Sequence, residues 1–323
     1  MDGFYIFSVQ LRFNWQRLIT SSFFVQFEVC ASNFFMKTGF VNIFGKPNAG
    51  KSTLLNALMG EKLAIVSSKV QTTRHRIKGI LTEKDYQIIL SDTPGIIDPR
   101  YKLHQKMMLA VKNALEDADV ALLIVDVNEN IQVCDAIFSA LKLRVPAIIV
   151  INKIDRAEKI RIDEVINFFK EKTYCKNIVT ISATSGINKN KFLKPILELL
   201  PEGEPFYAAD EMTDLSTRFF VSEIIREKIF DLMQDEIPYQ TTVLVRAYEE
   251  KTTLTKITAD IIVQRESQKA ILLGEKGNMI KKIGTLSRQD IEKFIDQKVF
   301  LELFVKVKEK WRDNDLYLKE YGY

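Results

Sequence analysis

Gly45-Lys46-Pro47-Asn48-Ala49-Gly50-Lys51-Ser52-Thr53 is the stretch on which the reading of this chain turns. It sits between a short apolar run at residues 40–44 and a helical pattern at 52–59. Gly45 and Gly50 let the backbone curl until successive N–H groups point inward, where they meet phosphate oxygens. The helix that follows adds the positive end of its dipole. In this spacing Lys51 reaches the β and γ phosphates of a nucleotide, and the Ser52 hydroxyl is a Mg²⁺ ligand. The same pattern also occurs in plain glycine-rich turns. Its place between a strand and a helix gives it weight.

Working outward, further apolar runs lie at residues 86–90, 120–125, 147–151 and 178–181. Runs this short and this continuous fit strands buried on both faces of a parallel sheet. Amphipathic stretches such as 103–118 and 163–174 lie between them. The alternation implies βαβ units and an α/β domain with a mostly parallel sheet, in which ligands bind beyond the carboxyl ends of the strands. The residues just after each strand are therefore the informative ones. After the second run comes Asp92-Thr93-Pro94-Gly95. Asp92 stands where a carboxylate binds Mg²⁺ through water, and the Gly95 N–H can reach a γ phosphate. After the fourth comes Asn152-Lys153-Ile154-Asp155. Asp155 can accept two hydrogen bonds from the N1–H and N2 amino group of guanine, a pair adenine does not offer. Asn152 and Lys153 brace that loop and cover the base. After the fifth comes Ser182-Ala183, whose backbone can approach the guanine O6.

Four strand-end signals in this order resemble the GTPase superfamily of phosphate-loop proteins, over residues 40–186. The resemblance implies GTP and GDP as nucleotides and Mg²⁺ as cofactor. It places a first switch loop at Gln71-Thr72-Thr73-Arg74-His75-Arg76. There Thr73 is the expected Mg²⁺ and γ-phosphate ligand, with Thr72 as the alternative. Lys51, Thr73 and Gly95 are then the catalytic candidates, and Ser52, Thr73 and Asp92 the metal ligands. Many relatives place a water-orienting Gln directly after the glycine. Here that position is Ile96, which cannot orient water by hydrogen bonding. Asn48 is a feature of relatives that use a bound K⁺, so K⁺ stimulation is expected.

Pro201-Glu202-Gly203-Glu204-Pro205 closes this first domain, residues 36–203, and a polar linker follows at 204–216. Beyond it the pattern changes to a helix at 217–234, strands at 241–247 and 254–264, and a helix at 268–273. Gly274-Glu275-Lys276-Gly277, a helix at 278–296 and a strand at 299–307 complete it. This α-β-β-α-GxxG-α-β order resembles the KH domain, over 217–312. In that family the GxxG loop clamps single-stranded nucleic acid. Lys276 and Lys281 add charge, and Ile271, Ile280 and Ile283 would line a groove for bases. Residues 269–312 hold 11 Lys or Arg against 6 Asp or Glu, a net of +5. The whole chain carries +4 at pI ≈ 8.7, so the positive balance is concentrated around the candidate loop. The role of the tail, 313–323, does not follow from its sequence.

The rest of the chain sets bounds. Its 323 residues, 46% hydrophobic and 27% charged, suit two globular domains. Cys30, Cys134 and Cys175 are far apart and pair with neither His75 nor His104 at metal-site spacing, so no zinc site is expected. Residues 1–35 carry eight Phe, match no signal or transit peptide, and are too polar to span a membrane. They are expected to be disordered or non-native, with translation starting at Met36.

A GTPase domain with the Thr-Thr-Arg switch, an aliphatic residue at 96 and a C-terminal KH-like domain resembles the Era family of bacterial ribosome-assembly GTPases. The resemblance implies binding to 16S ribosomal RNA near its 3′ end and to the 30S subunit. It implies that GTP and GDP states differ in RNA affinity, and a cytoplasmic monomer with peripheral inner-membrane association in some relatives. Two other readings remain open: a signalling switch whose C-terminal domain docks protein or membrane, and an RNA-binding module whose nucleotide is only structural.

Overall fold

The computed structural model describes residues 35–67 and 69–323. The expectation for residues 1–35 concerns residues outside this range, except Phe35, and Cys30 lies outside it too.

The first sheet has the order β2-β3-β1-β4-β5-β6. The strands are β1 (Met36–Phe44), β2 (Ile77–Glu83), β3 (Tyr86–Asp92), β4 (Val120–Asp126), β5 (Ala147–Asn152) and β6 (Cys175–Thr180). A two-residue β7 (Glu202–Gly203) pairs antiparallel with the start of β1. The β1–β3, β1–β4, β4–β5 and β5–β6 pairs are parallel, and β2–β3 is antiparallel. The period of two along β4 shows why its apolar run is continuous. Val120, Leu122 and Ile124 face one hydrophobic cluster, and Ala121, Leu123 and Val125 face the other. Helices α1 (Lys51–Met59) and α5 (Lys189–Leu197) cover the first face. Helices α2 (Lys102–Glu116), α3 (Ile131–Ala140) and α4 (Lys159–Lys170) cover the second.

Residues 204–216 hold no helix or strand, yet they are pinned along the sheet rather than free. The buried Gln87 side chain accepts from the N–H of Phe206 (2.7 Å) and Tyr207 (3.0 Å), and donates to the Tyr207 carbonyl (2.8 Å). The Ile80 N–H donates to the Met212 carbonyl at 2.8 Å.

The second sheet runs β10-β9-β8, from β8 (Thr242–Glu250), β9 (Thr255–Val263) and β10 (Val299–Val307). The β9–β10 pair is parallel and β8–β9 antiparallel. Helices α6 (Thr217–Leu232), α7 (Glu266–Leu273) and α8 (Asn278–Ile295) pack on one face, through Ile225, Leu272 and Ile291 against Ile257, Ala259 and Ile261. On the opposite face the C-terminal residues cover Leu244 and Ile262, while Phe300 and Phe304 of β10 stay half exposed. Trp311 and Leu318, the latter on α9 (Asp315–Glu320), pack with Ile262 of β9 and with Leu103 and Met107 of α2. The tail thus fills the seam between the surroundings of the two sheets.

Candidate nucleotide and RNA sites

The 45–52 loop leaves β1 at its carboxyl end and enters α1 through Gly50, at φ 102°. Both loop glycines are required by their neighbours. A Cβ at Gly45 would lie 2.6 Å from the Ile124 carbonyl oxygen, and one at Gly50 2.1 Å from Asn152 Nδ2. Lys51 is buried and its ammonium donates to the carbonyls of Lys46 (2.8 Å) and Gly45 (3.2 Å). Burial pulls its pKa down to about 8, opposed by the Asp92 charge. Lys46 pairs with Glu129.

Three oxygen-bearing side chains converge beside Lys51. Ser52 Oγ and Thr73 Oγ1 lie 2.8 Å apart. Both donate to Asp92 Oδ2, at 2.6 and 3.0 Å. Burial pushes the Asp92 carboxyl above its usual range, against the pull of Lys51, Ser52 and Thr73. Its Oδ1 is buried with no hydrogen-bond partner. A hard-oxygen set of two hydroxyls and a carboxylate, with one carboxylate oxygen left over, fits Mg²⁺. It is Thr73, not Thr72, that the structure brings to this corner.

Thr93 ties its turn to β1 through its hydroxyl on the Ile43 carbonyl (2.6 Å). Pro94 is buried. Gly95 is pressed against the phosphate loop: a Cβ there would lie 2.8 Å from Pro47 Cγ and N. Ile96 packs into the hydrophobic cluster under α2, and its N–H donates to the Gly45 carbonyl at 3.1 Å.

The 152–155 loop is bolted to its neighbours. Asn152 donates to the Ala49 carbonyl (2.9 Å) and accepts from the Ala183 N–H (3.0 Å). Lys153, at φ 62°, donates to the Asn48 carbonyl (2.8 Å) and pairs with Asp126 (2.7 Å). Asp155 is exposed, and a hydrogen bond from Ser182 holds its carboxyl below the usual range. A cavity of about 350 Å³ joins these parts, lined by Asn48, Lys51, Thr53, Thr73, Gly95 and Lys153 among others. Sequence reasoning did not single out Asp126 and Glu129, which pair with Lys153 and Lys46, nor Arg156 and Thr184, which line the cavity with Gln71 of the switch loop. Their only signal was position after a strand or within the switch.

The switch loop faces two ways. Lys69 donates to the carbonyls of Phe230 and Met233, at the end of α6. The Arg74 guanidinium is buried and donates to the carbonyls of Thr241 (2.7 Å), Pro238 (2.9 Å) and Tyr239 (3.2 Å). His75 stacks on Tyr323 at 4.4 Å and meets Phe219 edge-on at 5.4 Å.

In the second domain, Gly274 ends α7 at φ 70°, ψ 176°, and Gly277 starts α8 at φ 78°. Glu275 and Lys276 form the turn between them. A cavity of about 370 Å³ between α8 and β10 is lined by Ile280, Lys281, Arg288, Phe300 and Leu301. Of the residues expected to meet nucleic acid, Ile280 and Lys281 are in this lining. Ile283 is not: it is fully buried in the core beneath α8 and cannot meet a base. Ile271 is exposed on α7, outside that lining. The buried stripe of α8 is Ile283, Ser287 and Ile291, whereas the groove face carries Lys281, Gly284, Thr285 and Arg288 beside Ile280.

A family profile described as 50S ribosome-binding GTPase matches residues 40–153, and a KH domain profile matches residues 236–312. The GTPase Era of Clostridium kluyveri is 42% identical over 291 residues, covering 89% of this chain and 99% of that protein. The GTPase Era of Caldanaerobacter subterraneus is 43% identical, covering 89% and 98%. A solved structure of Era in complex with MgGDPNP and nucleotides 1506–1542 of 16S ribosomal RNA superposes with a TM-score of 0.86. It is 39% identical and covers 89% of this chain and 99% of that one. A structure of an Aquifex aeolicus Era point variant bound to GDP·AlF4⁻ gives 0.85 at the same identity and coverage. A phosphate loop, the Asn152-Lys153-Ile154-Asp155 loop beside it and a GxxG turn between two helices, matched along nearly nine-tenths of the chain, make this protein a GTP-hydrolysing member of the Era family of GTPases.

Proposed function

We propose that this GTPase binds 16S ribosomal RNA near its 3′ end through residues 217–312, hydrolyses GTP through residues 36–203, and assists assembly of the 30S subunit. The observation that carries the reading is the double engagement of one loop. Thr73 sits at the Ser52–Asp92 corner while Lys69, Arg74 and His75 are held by the second domain and the tail. The loop that places Thr73 at the candidate Mg²⁺ corner also carries contacts to the RNA-binding part. The Era structure that holds a 16S fragment supports the choice of partner, because its chain superposes on this one over both domains.

In this reading Gly45, Gly50 and the loop amides cradle the phosphates, and Lys51 neutralises their charge. Ser52, Thr73 and Asp92 would hold Mg²⁺, which when bound neutralises charge on the β and γ oxygens. The Gly95 N–H faces the γ phosphate, and Asp155 reads guanine. With Ile96 packed into the core, no side chain at that position orients water, so basal turnover is slow. We assign charge stabilisation beside Asn48 to K⁺; equal rates in K⁺ and Na⁺ buffers would remove that assignment. Among the described residues no helix is long and apolar enough to cross a membrane. Peripheral inner-membrane contact is proposed on family resemblance alone, and co-sedimentation with anionic vesicles tests it.

The experiment is Gly277→Asp, which puts a carboxylate in open space at the GxxG turn. RNA affinity should drop at least ~tenfold with GTPase activity intact. Unchanged RNA binding would favour a protein-docking role for this domain.

A further inference from the structure

Thr73 must arrive at the Ser52–Asp92 corner for the site to be complete, and its neighbours are what hold it there. The Thr72 carbonyl accepts a hydrogen bond from Arg226 Nη2. Arg226 belongs to α6, in the second domain, and is 1% exposed. Glu223, one helical turn earlier, fixes the guanidinium through Nε–Oε1 at 2.8 Å and Nη2–Oε2 at 2.5 Å. The Phe230 ring lies 5.3 Å from it. Burial alone would push the Glu223 carboxyl up, but Arg226 beside it holds it below the usual range. On the other side of Thr73, Arg74 crosses in the opposite direction to three carbonyls of the second domain. Thr73 is suspended between the two crossings.

A buried ion pair is a poor means of gluing domains together, because its desolvation offsets most of its attraction. Apolar side chains of the same volume would hold α6 against the switch loop as well. What they would not do is fix the direction of a backbone carbonyl. A guanidinium clamped by a carboxylate does this, because its fork is planar and rigid.

We propose that Arg226 is a positioning residue for GTP hydrolysis. By holding the Thr72 carbonyl it fixes the following peptide and sets Thr73 Oγ1 at the Mg²⁺ corner. The inference rests on the assignment of Thr73 made under the proposed function. It makes the effect specific to the triphosphate state, since GDP is held by the phosphate loop and the 152–155 loop without Thr73.

The test uses the full chain as wild type, R226Q, R226K, the pair variant E223Q/R226M, T73A and T73A/R226Q. The pair variant leaves no uncompensated buried charge, so it keeps the test open if R226Q folds poorly. Three quantities are measured: GDP affinity, affinity for a non-hydrolysable GTP analogue, and kcat at saturating GTP and Mg²⁺. In R226Q and the pair variant, GDP affinity should stay within about twofold, while kcat and the preference for the GTP analogue fall on the order of tenfold. R226K should lie between these and wild type. T73A/R226Q should be no worse than T73A, because the two act through one group. If T73A loses activity but the pair variant keeps wild-type kcat and preference, Arg226 only joins the domains and the proposal is wrong. Equal loss of GDP and GTP-analogue binding in the pair variant would also overturn it, as an effect on folding. If T73A itself changes nothing, the Thr73 assignment fails first and this inference with it.

Discussion

Lys51 is buried, and its ammonium donates to two backbone carbonyls. Burial brings its pKa to about 8. Bound phosphates favour the charged form, so the nucleotide complex takes up a proton wherever the free protein has lost it. Affinity for GDP and GTP should therefore be flat below about pH 8. Above it, affinity should fall by up to about tenfold per pH unit, as calorimetry on both sides of that value would show. Lys51→Ala should lower kcat/KM at least ~100-fold in a phosphate-release assay and remove that pH dependence. Asp155 works by a different logic. Its carboxylate is exposed and already accepts from Ser182, so it is free to accept from guanine without a large desolvation cost. Asp155→Asn replaces an acceptor by a donor against N1–H. Competition binding should show the GTP preference lost by about 10³-fold or more, with xanthosine triphosphate, which carries a carbonyl at C2, bound in its place.

At the scale of elements, the GxxG turn separates two glycines that the sequence treats alike. Gly274 lies in a region of φ/ψ open essentially to glycine only, and a Cβ there would meet Met279 Cβ at 2.6 Å. Gly277 has positive φ but nothing within 4 Å of an added Cβ. Gly274→Ala should destabilise the chain by about 2 kcal/mol or more, and Gly277→Ala by about 1 kcal/mol, in thermal or urea unfolding. Equal losses would contradict this account of the turn. The same contrast shows what sequence carries. Strands β1, β3, β4 and β5 were legible because apolar runs buried on both faces leave no ambiguity. Strand β2 was not: Lys78 and Gly79 interrupt it, and Gly79 is there because Met59 of α1 packs where a Cβ would sit, 2.8 Å away. Motif residues such as Lys51 and Asp92 were legible because chemistry fixes their spacing. Lys69, Arg226 and Tyr323 were not, because the groups they hold across the seam lie in the other domain and no local pattern marks them.

Across the whole molecule, the seam between the two domains is both polar network and core. His75 is packed between Tyr323 and Phe219. Burial lowers its pKa to about 4, opposed by Glu223 and helped by Arg226 and Arg74. The folded value lies below the unfolded one of 6.5, so the unfolded chain binds the extra proton. The contribution of His75 to stability is complete above pH 6.5 and is lost as pH falls toward about 4. His75→Phe, which cannot take up a proton, should flatten the melting-temperature profile across that window. An unaltered slope would place the acid sensitivity elsewhere.

The switch loop is anchored by the second domain on one side and by the Ser52–Asp92 corner on the other; the proposed function therefore predicts that nucleotide state and RNA affinity are coupled by linkage, so that whatever GTP gains from a bound RNA, RNA gains from bound GTP. The direct measurement is the affinity of the chain from Met36 onward for a 16S rRNA 3′-end fragment at fixed salt, once with a non-hydrolysable GTP analogue and once with GDP. Binding at least ~fivefold tighter with the GTP analogue, with the ratio abolished in T73A, is what this account predicts. Equal affinity in both nucleotide states would contradict it, leaving a GTPase and an RNA-binding domain that share a chain without sharing a switch.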